Sequence, residues 1–92
     1  MKYFVVLLPT LDAEKSNEYR PQHLEYLEQR RKEGHIFANG RFKDGSGGMV
    51  IYMAESYEQA KSFAENDPFV IHKARSYEIH EWDIVTDAVI PE

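Results

Sequence analysis

His23 and Asp67 are the side chains best suited to moving a proton. His23 sits in Arg20-Pro21-Gln22-His23-Leu24-Glu25-Tyr26-Leu27 and Asp67 in Asn66-Asp67-Pro68-Phe69. An imidazole titrates near neutral pH and can take or give a proton. A carboxylate beside it would orient the ring and stabilise its protonated form. The two are far apart in the chain, so only the fold can bring them together. Each also has a plainer reading. His23 falls at the border of an apolar helix stripe formed by Leu24 and Leu27, where it can simply bond to backbone. Asp before Pro is a good cap for a turn or helix that starts at the proline. The two readings of Asp67 are compatible, because one oxygen can cap while the other faces His23.

Three further residues are candidates for binding a substrate. Arg20 stands one helical turn before His23 and can hold a carboxylate through two parallel hydrogen bonds, or pair on the surface with an acid such as Glu18. Ser46 lies in Gly45-Ser46-Gly47-Gly48. That stretch lacks the lysine and the following helix of a phosphate-binding loop and reads as a hairpin turn, from which Ser46 can still reach a neighbouring pocket. Phe69, with Phe4, Phe37, Phe42, Met49 and Trp82, suits either the wall of an apolar ligand pocket or a core.

Composition narrows the classes. The chain has 92 residues, enough for one domain, a core over about residues 1–85 and a loosely held tail over 86–92. Its net charge of −5 argues against nucleic acid, which needs a basic face. There is no cysteine, and no two of His23, His35, His72 and His80 are four residues apart, so neither a disulfide nor a metal site is expected. No cofactor is expected either. The opening run Lys2 to Leu8 is too short to cross a membrane and lacks a small-residue cleavage site. A cytoplasmic protein is the expectation.

Six elements must position these residues. A strand spans Lys2 to Pro9, followed by an irregular polar stretch from Leu11 to Tyr19. A helix is predicted from about Arg20 to Lys32, with Pro21 in its first turn and Gly34 stopping it. Strands over His35–Phe42 and Gly48–Ala54 form a hairpin around Lys43-Asp44-Gly45-Ser46-Gly47. A second helix runs over Tyr57–Glu65, with Ser56 and Gln59 as a capping box. Pro68 ends it and opens a turn, and a last strand covers about Arg75 to Val85. In that strand the apolar parity changes between Ile79 and Trp82, which implies a bulge near His80-Glu81 or an end that leaves the sheet.

The order βαββαβ predicts an α+β, ferredoxin-like protomer: a four-stranded antiparallel sheet with two helices on one face. Such a sheet should be polar on its other face. Here Tyr3, Val5 and Leu7 point one way and Phe4, Val6 and Leu8 the other, all apolar. A second copy of the sheet is the simplest cover, giving a homodimeric α+β barrel; the other reading is an open, ligand-lined face.

These pieces, in their order and spacing, resemble the YciI-like (YCII-related) family over about Met1 to Val85. The resemblance is carried by Arg20-Pro21-x-His23-Leu24-x-x-Leu27, Gly34, Gly40, Gly45 to Gly48, Ser56-x-x-x-Ala60, Asn66-Asp67-Pro68-Phe69 and Tyr77-x-Ile79-x-x-Trp82. Arg41 stands where the family often has a proline, which alters the pocket edge. The resemblance implies a dimeric α+β barrel and a His–Asp pair at His23 and Asp67. It also implies chemistry like that of one branch, a cofactor-free lyase removing chloride from a chlorinated hydroxyhydroquinone, or of isomerases of the wider superfamily. The expected function is thus proton transfer on a small phenolic or lactone-like compound. The alternative is a non-catalytic dimeric module that binds a small ligand, in which His23 and Asp67 are purely structural.

Overall fold

The computed structural model describes residues 1–88; the end of the expected tail, residues 89–92, lies outside them. The elements are β1 (Lys2–Pro9), α1 (Ala13–Lys32), β2 (Ile36–Arg41), β3 (Gly47–Ala54), α2 (Tyr57–Glu65), α3 (Pro68–Ile71) and β4 (Glu78–Trp82). The strands form one antiparallel sheet in the order β2-β3-β1-β4, the ferredoxin-like arrangement.

Alternation along the strands builds the core. Phe4, Val6 and Leu8 of β1 and Val50 and Tyr52 of β3 turn to the helices and are almost wholly buried. Leu27 of α1 and Ala64 of α2 close over them. The opposite parity is apolar as well. Tyr3 is paired with Met53, Val5 with Ile51 and Leu7 with Met49, on the face that carries no helix. Tyr3, Val5, Leu7 and Met49 are only half-buried there.

Four local expectations are corrected. First, α1 starts at Ala13, not Arg20, so Leu11 to Tyr19 is mostly helical. Asp12 caps it by accepting the Lys15 N–H at 3.1 Å. Pro21 lies inside the helix, where it cannot donate to the carbonyl of Asn17. Asn17 is exposed, so water can take that bond. Second, the buried face of α1 is Ser16, His23 and Leu27, whereas Leu24 is 44% exposed. The stripe carries polar residues because it faces a cavity as well as a core. Third, the turn after Pro68 is a one-turn helix. Fourth, β4 is shorter than expected and its pairing with β1 is unbroken from Glu78 to Trp82. The parity change needs no bulge: Ile79 packs toward the helices, and Trp82, opposite Tyr3, belongs to the open face. The irregularity is instead in β2, where two residues, Ile36 to Ala38, match the single step Tyr52 to Ile51. The extra Phe37 packs edge-on against Tyr3, with ring centroids 5.9 Å apart.

Other local signals stand as expected. Gly34 follows α1 with φ +82°, the left-handed backbone of a helix stop. Ser56 accepts the Gln59 N–H at 3.1 Å, and the Gln59 side chain returns to the N–H of Glu55 at 2.7 Å, one residue before the usual capping-box partner. No helix among the described residues is long and apolar enough to cross a membrane.

Candidate active site

α3 exists to present one carboxylate. Pro68 supplies a fixed φ at its first position, and Asp67 caps it by accepting the Phe69 N–H at 2.9 Å through Oδ1. Both Asp67 oxygens lie within reach of His23 Nδ1, at 2.8 and 3.0 Å. Cap and histidine partner are therefore one side chain. Asp67 is 1% exposed and His23 8%, so this pair is shielded from solvent. A carboxylate only accepts, so Nδ1 carries the proton and donates it to Asp67. That leaves the lone pair of the neutral ring on Nε2, which has no hydrogen-bond partner among the described residues.

Phe69 stacks on the imidazole, with centroids 3.9 Å apart and planes 14° apart. The guanidinium of Arg75 lies 4.5 Å over the same phenyl ring. Arg75 Nε donates to Ser16 Oγ at 3.1 Å and Nη1 to the Leu8 carbonyl at 3.2 Å. Ser16 in turn donates to the Ala74 carbonyl at 3.4 Å. α1, β1 and the segment after α3 thus fix one cation. Burial pushes the Arg75 pKa below its ordinary value; the Asp67 charge opposes this and the Arg20 charge adds to it.

These groups border a cavity of about 140 Å³ between α1, α3 and the ends of β1, β2 and β3. His23 and Phe69 wall it, Leu8, Gly48 and Val50 face it from the sheet, and Arg20, Arg41 and Arg75 rim it. Of the expected site residues, the fold brings His23, Asp67, Phe69 and Arg20 together. Ser46 does not line the cavity. Its N–H donates to Asp44 Oδ1 at 2.9 Å and its carbonyl accepts the Thr10 N–H at 2.9 Å, so it is held in the hairpin. The Ser46 side chain, and after it the Ser46 N–H, hold the Asp44 carboxyl below its ordinary pKa. Phe4 is core, and Phe37 and Trp82 sit on the open face. Among the described residues no three His, Asp or Glu side chains converge as a metal-holding group.

Arg75, Arg41 and Ser16 were missed from sequence. Ser16 was hidden by the misplaced start of α1. Arg41 was noted only as a departure from a family pattern, and Arg75 carries no local motif. Gly48 serves the approach of β2 and β3 at the cavity edge: a Cβ there would lie 2.9 Å from the Gly40 carbonyl, whereas its 3.7 Å from Arg75 Nη1 would be ordinary contact.

Behind the pair, Tyr52 is fully buried and its hydroxyl has no partner among the described residues. Burial, and secondarily the Asp67 charge, push its pKa far up. Tyr52→Phe is expected to raise stability by about 1 kcal/mol, since an unpaired buried hydroxyl costs about 1–3 kcal/mol. The pH dependence has a definite sign. Below about pH 10 the phenol is neutral in both folded and unfolded chains; above it only the unfolded chain ionises. Stability then falls by up to about 1.4 kcal/mol per pH unit, and Tyr52→Phe should flatten that alkaline limb. Urea melts between pH 8 and 11 check both; a less stable variant with an unchanged limb would refute the unpaired state.

The model of the YCII-related domain matches residues 1–83. The uncharacterised protein YjpA of Bacillus subtilis is 30% identical over 82 residues, covering 88% of this chain and 96% of its own. Among solved structures, 5-chloro-2-hydroxyhydroquinone dehydrochlorinase (TftG) from Burkholderia phenoliruptrix, in complex with 2,5-dihydroxybenzoquinone, aligns with a TM-score of 0.77. That protein is 25% identical, and the match covers 88% of this chain and 93% of the neighbour.

Proposed function

Given that the chain belongs to the YCII-related domain family, we propose that it is an enzyme that moves a proton on a small hydroxylated ring or lactone, with His23 as the base and Asp67 as its partner. The observation that carries this is the 2.8 Å contact between His23 Nδ1 and Asp67, made at a cavity wall with Nε2 left for chemistry. The likeness to a dehydrochlorinase of a hydroquinone supports the substrate class. Nε2 takes a proton from a ring hydroxyl or carbon, and Asp67 stabilises the imidazolium. In an elimination the freed electron pair forms a new π bond and a leaving group departs with its own pair. In an isomerisation the proton returns at another carbon. Phe69 holds the imidazole plane.

Solvent deuterium exchange into a panel of hydroxylated rings and lactones, read by NMR, tests this. His23→Gln should slow exchange by about 100-fold or more, the usual range for a lost general base. Ligand binding without any exchange, or exchange indifferent to His23→Gln, would leave the non-catalytic binding module instead.

The uncovered face supports a second part of the reading. Tyr3, Val5, Leu7 and Met49, with Trp82 at 40% exposure, form an apolar surface on a chain of 10.8 kDa. A second copy packed sheet to sheet would bury it. Light scattering should return twice the chain mass, and Val5→Glu should halve it. A monomer at micromolar concentration would end this part of the proposal.

A further inference from the structure

We infer that the cavity takes a substrate bearing a carboxylate, gripped by Arg75 and Arg41 with Arg20 at the same rim, while the ring it is attached to reaches His23. This deepens the proposed function and rests on it for the role of His23.

The chain is acidic, with 16 Asp and Glu against 11 Lys and Arg. Yet the cavity lining holds three arginines and no acid. The cleft that continues it past the hairpin adds Lys43 and again no acid. Among the described residues, Arg30–Glu33 and Lys32–Glu28 are ion pairs, and His23–Asp67 and His80–Glu78 are histidine–carboxylate contacts. None of the three rim arginines is in that set. Burial is the main cause of the depressed Arg75 pKa; the Asp67 charge opposes it, but that carboxylate is bonded to His23 and Phe69, and the Arg20 charge adds to the depression. A bound anion would relieve the repulsion between Arg20 and Arg75.

Arg75 is the preorganised member. Two of its five N–H donors are spent on Ser16 and Leu8, and its plane is held against Phe69. The other donors remain, in a fork that matches a carboxylate. Arg41 sits beside it. Arg41 is paired with Gly48, whose ideal Cβ position lies 3.7 Å from Arg75 Nη1, so the two arginines meet at the same strand end. Phe69, touching both His23 and Arg75, links the anion end of the cavity to the proton-transfer end.

Titration calorimetry with 2,5-dihydroxybenzoate, hydroquinone and inorganic phosphate tests the inference. Hydroquinone has the same ring diol and lacks only the carboxylate. The carboxylate should add about ten-fold or more in affinity, a modest yield for charge-assisted hydrogen bonds. Arg41→Gln and Arg75→Gln should each cut that ratio to about three-fold or less, and rising ionic strength should shrink it. Arg41 is exposed at a strand end, so its variant keeps the fold even if Arg75→Gln does not. Hydroquinone binding as tightly as the acid, or a ratio that survives Arg41→Gln, overturns the inference. Phosphate binding as tightly as 2,5-dihydroxybenzoate overturns the carboxylate assignment in favour of a phosphate site. The ratio should persist in His23→Gln, so failure of the anion grip and failure of the proton-transfer reading give separate results.

Discussion

Asp67→Ala is expected to destabilise the fold by about 3 kcal/mol, the sum of a lost helix cap and a buried donor left without its acceptor. Two losses combine. The Phe69 N–H at the start of α3 loses its acceptor, a cap contribution of about 1 kcal/mol. His23, 8% exposed with its ring stacked on Phe69, loses the acceptor for its Nδ1 proton. For a domain of this size, such a loss lowers the melting temperature by roughly 12 °C or more. Asp67→Asn separates stability from chemistry. Its amide oxygen can still cap α3, but its NH₂ faces Nδ1 and favours the tautomer with the proton on Nε2. That ring can no longer accept a proton from a substrate. The asparagine variant should therefore melt close to wild type while losing proton exchange by about 10²-fold or more. Thermal melts and the exchange assay run on both variants check this. An Asp67→Ala protein melting like wild type would show that the pair contributes nothing to the fold.

Gly47→Ala is expected to cost about 3 kcal/mol or more, through backbone strain and a direct overlap. Gly47 opens β3 with φ +154°, a conformation that side chains disfavour. A Cβ there would collide with the Leu8 carbonyl and come within 3.0 Å of the Pro9 Cα. Neither neighbour is a flexible side chain. The Leu8 carbonyl also accepts a bond from Arg75, so any shift that relieves the overlap disturbs the cavity rim. Gly45→Ala is the control. Its φ is +79° but nothing lies within 4 Å, so only the backbone cost of about 1–2 kcal/mol applies. Guanidinium melts should rank Gly47→Ala well below Gly45→Ala; equal midpoints would mean that the close approach of β1 and β3 is not rigid.

Much of the architecture was legible because its signals are local. Ser56 three residues before Gln59, Gly34 after a basic helix end and alternation in Tyr3 to Leu8 each report on a few bonds, and each appears in the structure. Two-sided apolar strands also announced that the helix-free face would be unusually apolar. The start of α1 was lost for an equally physical reason. Pro21 reads as a first-turn residue, yet an exposed Asn17 carbonyl makes it tolerable deep inside a helix.

Sequence alone determined the order of the elements, the two apolar faces of the sheet and the residue types able to move a proton. Tertiary structure decided which of those residues meet. It set His23 against Asp67 at 2.8 Å, kept Ser46 in its turn and held Arg75 at the cavity through its bonds to Ser16 and the Leu8 carbonyl. Side-chain chemistry and helix or strand period are written along the chain. The meeting of α1, α3 and the end of β1 is not, because it depends on how the elements close over Leu27 and Val6 in the shared core.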